Sequence, residues 1–381
     1  MRRKASRAGV WLIVAAVLTG MAWLSVKVLR RLDNQGLRPV TIAEGLEHPW
    51  SMALLPDGSM LVTERPGRLR RIRPDGVIGE PIGGLLPVAP GGEGGLMDVV
   101  LDPEFASTRL LYWSFSEPAA TSSAMRSTAV ARGRLEGDLI VDARVIFRQA
   151  EKSSDGSHFG SRLVFAADGS LFVGLGDRGR RDAAQQHDSA LGKVIRIDSE
   201  GRTISGGPME SASAALGSIW SLGHRNIQGL AIQPASGRLW ATEHGPQGGD
   251  ELNLIQPGLN YGWPVISHGT EYSTGARIGE GSIKAGLEQP VIWWGPVSVA
   301  PSGLTFLNND ARYPDWKGHL FMGTLRGESL VRMRLDGTKV IEQQRLLTGL
   351  NQRIRDVRQG PDGWLYVLTD SPNGRVIRVE R

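Results

Sequence analysis

The chain has 381 residues, 40% of them hydrophobic, with Gly 50, Pro 21, Trp 11, no cysteine and a formal net charge of +5. That length can bury a large core, and the lack of cysteine excludes disulfides, thiolate zinc sites and cysteine nucleophiles. No basic stripe with interleaved aromatics is present, so nucleic acid is not an expected partner.

Residues 1–36 stand apart. Arg2, Arg3, Lys4 and Arg7 precede Ala8–Val26, a run without charge, and Lys27, Arg30 and Arg31 follow it. A helix of that length reaches ~28 Å, enough to cross a hydrocarbon core. We expect an N-terminal hydrophobic helix that anchors the chain in the inner membrane, with the remainder exported to the periplasm. A cleaved signal peptide is the alternative, because Gly20-Met21-Ala22 has the small-x-small form of a cleavage site. The apolar run continues past that point through Trp23–Val26, which favours the anchor.

From residue 37 a turn, an alternating strand and a second strand recur. Leu55–Thr63 with Gly67–Ile72 is the first copy. Ala167–Val173 with Gly192–Ile197, Ser236–Ala241 with Glu251–Ile255, and Lys317–Met322 with Ser329–Arg334 follow. Pro361–Leu368 with Gly374–Val379 is the clearest copy, and Asp102–Trp113 with Thr128–Arg132 a degenerate one. Six such units with unequal insertions predict an all-β fold over 37–381. It is a six-bladed β-propeller of four-stranded antiparallel blades, each packed on two neighbours.

The insertions hold residues that packing does not explain. Ala89–Asp98 is glycine-rich, as a turn or as a place of close approach to a ligand. In Ser153–Leu163, His158 sits at a glycine-flanked bend, either as a solvated loop residue or as a base for an alcohol proton. Leu222–Gln228 offers His224, Arg225, Asn226 and Gln228, and Thr324–Arg326 adds a further cation. In Gln352–Asp356, alternation puts Arg353 and Arg355 on one face, facing an anionic ligand or bridged to Asp356 or Asp370. Thr242–Pro264 carries five glycines with Glu243, Asp250 and Glu251. Such a loop suits a calcium site of carbonyl and carboxylate oxygens, the other reading being an acidic surface loop around a buried Trp263.

At these residues the sequence resembles the glucose/sorbosone dehydrogenase family, in its soluble aldose dehydrogenases that use pyrroloquinoline quinone (PQQ). The motifs are GGLMDVVLDPEF, HFGSRLVF, LGDRG, GHRNIQG, EHGPQGGDELN, NYGWP and RIRDV, spread over about 40–380. The resemblance implies a six-bladed propeller that oxidises an aldose at C1 to the lactone. His158 is then the general base, and Arg225 stabilises charge developing on the quinone. Electrons pass to an external acceptor, a cytochrome or a quinone. PQQ contacts are implied for Glu93, Arg225, Asn226, Gln228, Tyr272, Thr324, Leu325, Arg326, Arg353, Ile354 and Arg355. The carbonyls of Gly245 and Pro246 are implied as ligands of a Ca²⁺ that holds PQQ, and Glu251 with Tyr261 as a separate structural Ca²⁺ site. His187, His224 and His244 are the next candidates for the base, His224 first because it adjoins Arg225.

Two positions depart from the family pattern. Arg326 stands where lysine is usual, and Glu93 where glutamine is usual. An ionised Glu93 repels the carboxylates of PQQ unless it is protonated, turned away or placed near calcium. Two other functions are open to such a chain: a non-catalytic propeller that binds a ligand or partner, and a calcium-dependent lactonase. The first is expected to lack His158 or the Arg353/Arg355 pair. The second needs acidic and amide ligands on the channel axis.

Overall fold

The structure is a computed structural model that describes residues 36–204, 209 and 218–381. The hydrophobic helix expected over 8–26 lies outside the described residues. Six four-stranded antiparallel sheets follow one another along the chain. The first strand, β1 (Arg38–Leu46), is set aside for the end of the ring. Blade I is β2 (Pro49–Leu54), β3 (Met60–Glu64), β4 (Arg68–Ile72) and β5 (Ile78–Pro81). Blade II is β6 (Leu96–Leu101), β7 (Leu110–Ala119), β8 (Ser122–Glu136) and β9 (Leu139–Arg148). Blade III is β10 (Gly160–Phe165), β11 (Leu171–Leu175), β12 (Lys193–Ile197) and β13 (Ser218–Leu222). Blade IV is β14 (Ile227–Ile232), β15 (Leu239–Glu243), β16 (Asp250–Ile255) and β17 (Ile292–Trp294). Blade V is β18 (Pro301–Phe306), β19 (Leu320–Thr324), β20 (Ser329–Asp336) and β21 (Lys339–Leu346). Blade VI is β22 (Ile354–Gln359), β23 (Leu365–Thr369) and β24 (Gly374–Glu380), completed by β1 pairing antiparallel to β24.

The repeat seen in the sequence is the second and third strand of each blade. Its turn is held locally: Asp57 Oδ1 accepts from Ser59 N at 2.9 Å, and Asp168 Oδ1 from Ser170 N at 3.0 Å. Gly58 between them has φ +81, which a side chain disfavours. Apolar residues alternate onto both faces of each sheet, and six buried clusters lie one at each junction between neighbouring blades. The junction of blades I and II buries Trp113, Phe115, Leu61 and Leu96 almost completely. Side chains of that size stabilise a fold by ~1.5–3 kcal/mol each on burial. The clasp of β1 on β24 joins the two ends of the ring by hydrogen bonds rather than by a covalent link.

The inner strands β2, β6, β10, β14, β18 and β22 line the axis. In each of them the pairing to the next strand is interrupted near its start: between Pro49 and Ser51, Leu96 and Val99, Gly160 and Leu163, Ile227 and Gly229, Pro301 and Leu304, and Ile354 and Asp356. A bulge at this point re-aims side chains toward the channel. Beyond it, Arg162 bonds Asp98 at 3.3 Å and Asp356 at 3.0 Å, and Arg358 bonds the same two carboxylates at 3.1 and 3.0 Å. Two guanidiniums and two carboxylates thus balance in the buried channel.

Candidate active site

The starts of the inner strands and the loops between second and third strands lie at the same end of every blade. There they enclose a cavity of ≈ 500 Å³. His158 reaches it from just before β10, and Glu93 from just before β6. Arg225 and Gln228 reach it at the start of β14, Arg353 and Arg355 at the start of β22. His244 with Gly245, and Leu325 with Arg326, come from the turns after β15 and β19. Tyr272 hangs over the mouth from the long segment between β16 and β17 and is 65% exposed.

His158 has φ +52, a conformation uncommon for a residue with a side chain, and it is fixed on three sides. Its N–H donates to Glu93 Oε2 at 2.8 Å, and its Nδ1 lies 2.7 Å from Asp177 Oδ1. Its carbonyl lies against Gly176, where any Cβ would collide with it. That close approach explains the glycine of LGDRG. Asp177 also accepts from Gly179 N at 2.9 Å and from Trp263 Nε1 at 2.7 Å. Burial works against its ionisation, but the hydrogen bond and charge of His158, with these other donors, hold its carboxyl below the usual range. With Nδ1 spent on Asp177, His158 Nε2 is the nitrogen available as a proton acceptor.

Glu93 is turned toward the protein. Its Oε2 also accepts from Asn226 Nδ2 at 3.1 Å. Burial opposes its ionisation; the charges of His158 and His244 and these two hydrogen bonds hold it below the ordinary glutamate range. Five arginines line the cavity with it: Arg65, Arg225, Arg326, Arg353 and Arg355. Arg355 donates to Gln228 Oε1 and to Asp370 Oδ2, both at 2.9 Å, and Arg353 reaches the same Asp370 oxygen at 3.3 Å. Arginines 353 and 355 therefore share one face, as alternation predicts, and Asp370 sits between them. Burial opposes ionisation of Asp370, but Arg355, His48 and Arg353 hold it far below the usual carboxylate range. The Nε atoms of Arg225 and Arg355 are buried without a partner. Excess positive charge with unsatisfied donors is the chemistry of a site for a polycarboxylate.

Several expected contacts are redirected. Ile354 alternates away from Arg353 and Arg355 and lies in the core between blades V and VI. Thr324 Oγ1 donates to Ser329 O at 2.8 Å inside blade V, so its side chain is committed there. Asn226 is buried and acts by support, its Oδ1 accepting from Gly160 N at 3.0 Å. His224 is fully buried, stacked on Tyr261 at 4.7 Å and bonded to Glu243 Oε1 at 3.0 Å. His244, which lines the cavity, thus replaces it as the alternative histidine. The sequence reading also missed Asp177, Trp50 and Arg65. The signal for Asp177 was present in LGDRG, where an acid is flanked by glycines and followed by an arginine.

The two expected calcium sites differ in their surroundings. Gly245 N is held by Asp250 Oδ1 at 2.9 Å, and among the described residues no hydrogen bond ends on the Gly245 or Pro246 carbonyl. Those two oxygens are free to meet a cation beside the cavity. Glu251 lies by Glu243, and Asn253 Nδ2 donates to both, at 3.1 and 2.8 Å. Burial first, then Glu243, pushes Glu251 well above the usual carboxylate range. Asn253 Oδ1 is buried without a partner, which again suits a cation. The Tyr261 hydroxyl is committed to Leu254 O and Gln256 N, so Tyr261 could offer only its carbonyl. No group of three or more His, Cys, Asp or Glu converges as a metal cluster among the described residues.

The glucose/sorbosone dehydrogenase family model matches residues 46–378. The chain belongs to that family. It is 46% identical over 343 residues to the aldose sugar dehydrogenase YliI of Escherichia coli, covering 89% of this chain and 91% of the relative. The crystal structure of the soluble aldose sugar dehydrogenase of Escherichia coli in its apo-form superposes with TM-score 0.86 at 44% identity, covering 90% of this chain and 99% of that one. The PQQ-bound form of the aldose sugar dehydrogenase of Streptomyces coelicolor superposes with TM-score 0.74 at 30% identity, covering 90% and 98%.

Proposed function

We propose that this member of the glucose/sorbosone dehydrogenase family is a PQQ-dependent dehydrogenase that oxidises aldoses at C1 to the lactone. The observation that carries the reading is the opening of the His158–Asp177 pair onto the same cavity as five arginines. Arg353, Arg355, Arg326, Arg225 and Gln228 would hold PQQ, with Leu325 and Tyr272 against it. The carbonyls of Gly245 and Pro246 would meet its Ca²⁺, and Glu251 with Tyr261 would hold a second, structural Ca²⁺. When bound, PQQ supplies the two-electron acceptor for the C1 hydride.

His158 Nε2 takes the proton of the C1 hydroxyl, an acid too weak to ionise unaided near neutral pH. Asp177 fixes the imidazole in the tautomer with Nδ1 protonated and stabilises the imidazolium formed. Arg225, held by its donation to His244 O at 2.9 Å, places a cation where charge develops during transfer.

The same reading carries electrons onward to an external cytochrome or quinone. It also places the propeller outside the cytoplasm, tethered by residues 8–26, on the strength of that uncharged run. The lactonase reading is disfavoured by the channel itself, where the two buried carboxylates, Asp98 and Asp356, are already paired with Arg162 and Arg358. The test is to add PQQ and calcium to the apoprotein, offer several aldoses with a redox dye, and assay lactone hydrolysis in parallel. Sugar-dependent dye reduction that requires PQQ supports the reading, and lactone hydrolysis without dye reduction contradicts it.

A further inference from the structure

We propose that Trp263 is a positioning residue that joins the ligand-facing Arg225 to the His158–Asp177 pair; this rests on the reading of His158 as the base. The indole is buried, and its Nε1–H donates to Asp177 Oδ2 at 2.7 Å. Such a partner is not general in this fold: Trp113, Trp220, Trp240 and Trp294 bury their Nε1 atoms with none. The ring lies 5.4 Å from the guanidinium of Arg225 and 5.4 Å from that of Arg181. Arg181 is paired with both carboxylate oxygens of Glu271, beside Tyr272 at the mouth. The Trp263 carbonyl accepts from Gln185 Nε2 at 2.6 Å, and the ring packs with Ala184 and Ile278. One side chain therefore touches the arginine of the cavity, the arginine of the rim and the acid that holds the base.

The two ends of the indole do different work. The ring face attracts both guanidiniums through its quadrupole, which sets where Arg225 stands. The N–H occupies the one Asp177 oxygen that His158 does not use. Without it, Oδ2 is a buried acceptor with no donor, and the carboxylate both gains rotational freedom and pulls harder on the imidazolium through Oδ1. The other charged groups around His158 are Glu93 at its backbone N–H, Asp155, whose Oδ1 accepts from Ser157 N, Arg178 bonded to the carbonyls of Ser157 and Asp155, and Arg65, Arg225, His244, Arg326, Arg353 and Arg355 across the cavity. None of these is a partner of the indole N–H.

The experiment compares full-length wild type with Trp263→Phe, which keeps an aromatic face and removes the N–H. In histidine-labelled apoprotein followed by NMR, the midpoint of the His158 titration is expected to rise by about half a pH unit or more. After loading with PQQ and calcium, kcat is expected to fall about tenfold or more with a smaller change in KM. In wild type, the Trp263 Nε1–H resonance is expected to shift with the same midpoint as His158, which needs no variant to fold. A pH-independent indole resonance, or an unmoved His158 titration in Trp263→Phe, overturns the proposal whatever happens to kcat. Failure of the underlying reading would show differently: His158→Gln would stay active while the coupling between Trp263 and His158 remained visible.

Discussion

His158 Nδ1 and Asp177 Oδ1 stand 2.7 Å apart although nineteen positions separate them in the chain. The contact fixes which imidazole nitrogen is left for the cavity. Asp177→Asn keeps the shape but can present its NH₂ group to Nδ1, which selects the wrong tautomer. Turnover with a saturating aldose should drop by about 100-fold or more. Steady-state kinetics of the loaded variant check this, and a loss seen only in KM would count against it.

The acid side of the pH profile follows from the same pair. Asp177 is held below the usual carboxylate range, so it stays ionised where activity is measured. As pH falls, the imidazole gains a proton and can no longer accept one from the sugar. Log kcat/KM should therefore decline toward acid with a slope of one proton. A profile flat down to the point of acid unfolding would contradict the assignment.

Asp370 is where two arginines share one acid, and the two should respond differently to substitution. The Arg353 side chain is 46% exposed and that of Arg355 only 7%. Arg353→Met should weaken PQQ binding about tenfold and leave the melting temperature nearly unchanged. Arg355→Met leaves the Gln228 Oε1 acceptor without its donor and removes from buried Asp370 the nearer of its two arginines, and should cost about 1–3 kcal/mol of stability as well. For Asp370 the sign is that of a depressed acid: its stabilisation is complete above the unfolded-state value and is lost as pH falls toward the folded one. Calorimetry and equilibrium binding of PQQ separate the two arginines.

Glu93 adds negative charge to a site that otherwise attracts it, yet one of its oxygens holds His158 and Asn226. Glu93→Gln keeps an acceptor oxygen and removes the charge. PQQ should bind about tenfold tighter, with the gain shrinking as salt rises. Weaker binding by the glutamine variant, measured by fluorescence titration, would mean that the carboxylate itself contacts a cation in the loaded site.

Much of the fold was legible because strands two and three of each blade repeat a turn, an alternation and a return. Pro56-Asp57-Gly58-Ser59 and Pro361-Asp362-Gly363 announce themselves by turn chemistry. The closing pair of β1 with β24 was not legible, since the pairing of the two chain ends leaves no local pattern. Nor were the inner-strand bulges, where period-two reading fails by one residue and carries Asp98, Arg162 and Asp356 into the channel. At the site, His158 and the Arg353/Arg355 pair could be read from glycine flanks and alternation. Asp177 was visible only as the acid of LGDRG, and its pairing with His158 appears once β10 and β11 pair; the role of Trp263 could not be read, because its loop meets Asp177 only when blades III and IV pack.

Glu251 tests the structural calcium. Burial beside Glu243 makes its charge costly in the metal-free fold, and a bound cation would reverse that cost. Glu251→Gln should match or exceed wild type in melting temperature when calcium is chelated, and should lose most of the gain that calcium gives wild type. An undiminished calcium effect in the variant would show that the ion binds elsewhere.

The most direct measurement is on His158→Gln, loaded with PQQ and calcium, with PQQ affinity and aldose turnover determined on the same preparation. The arginines and the Gly245 turn are untouched by the substitution, so PQQ should bind within a few-fold of wild type. Glutamine keeps similar bulk but cannot accept the hydroxyl proton, so turnover should fall at least ~100-fold. Normal binding with near-normal turnover would remove His158 from the reaction and turn attention to His244.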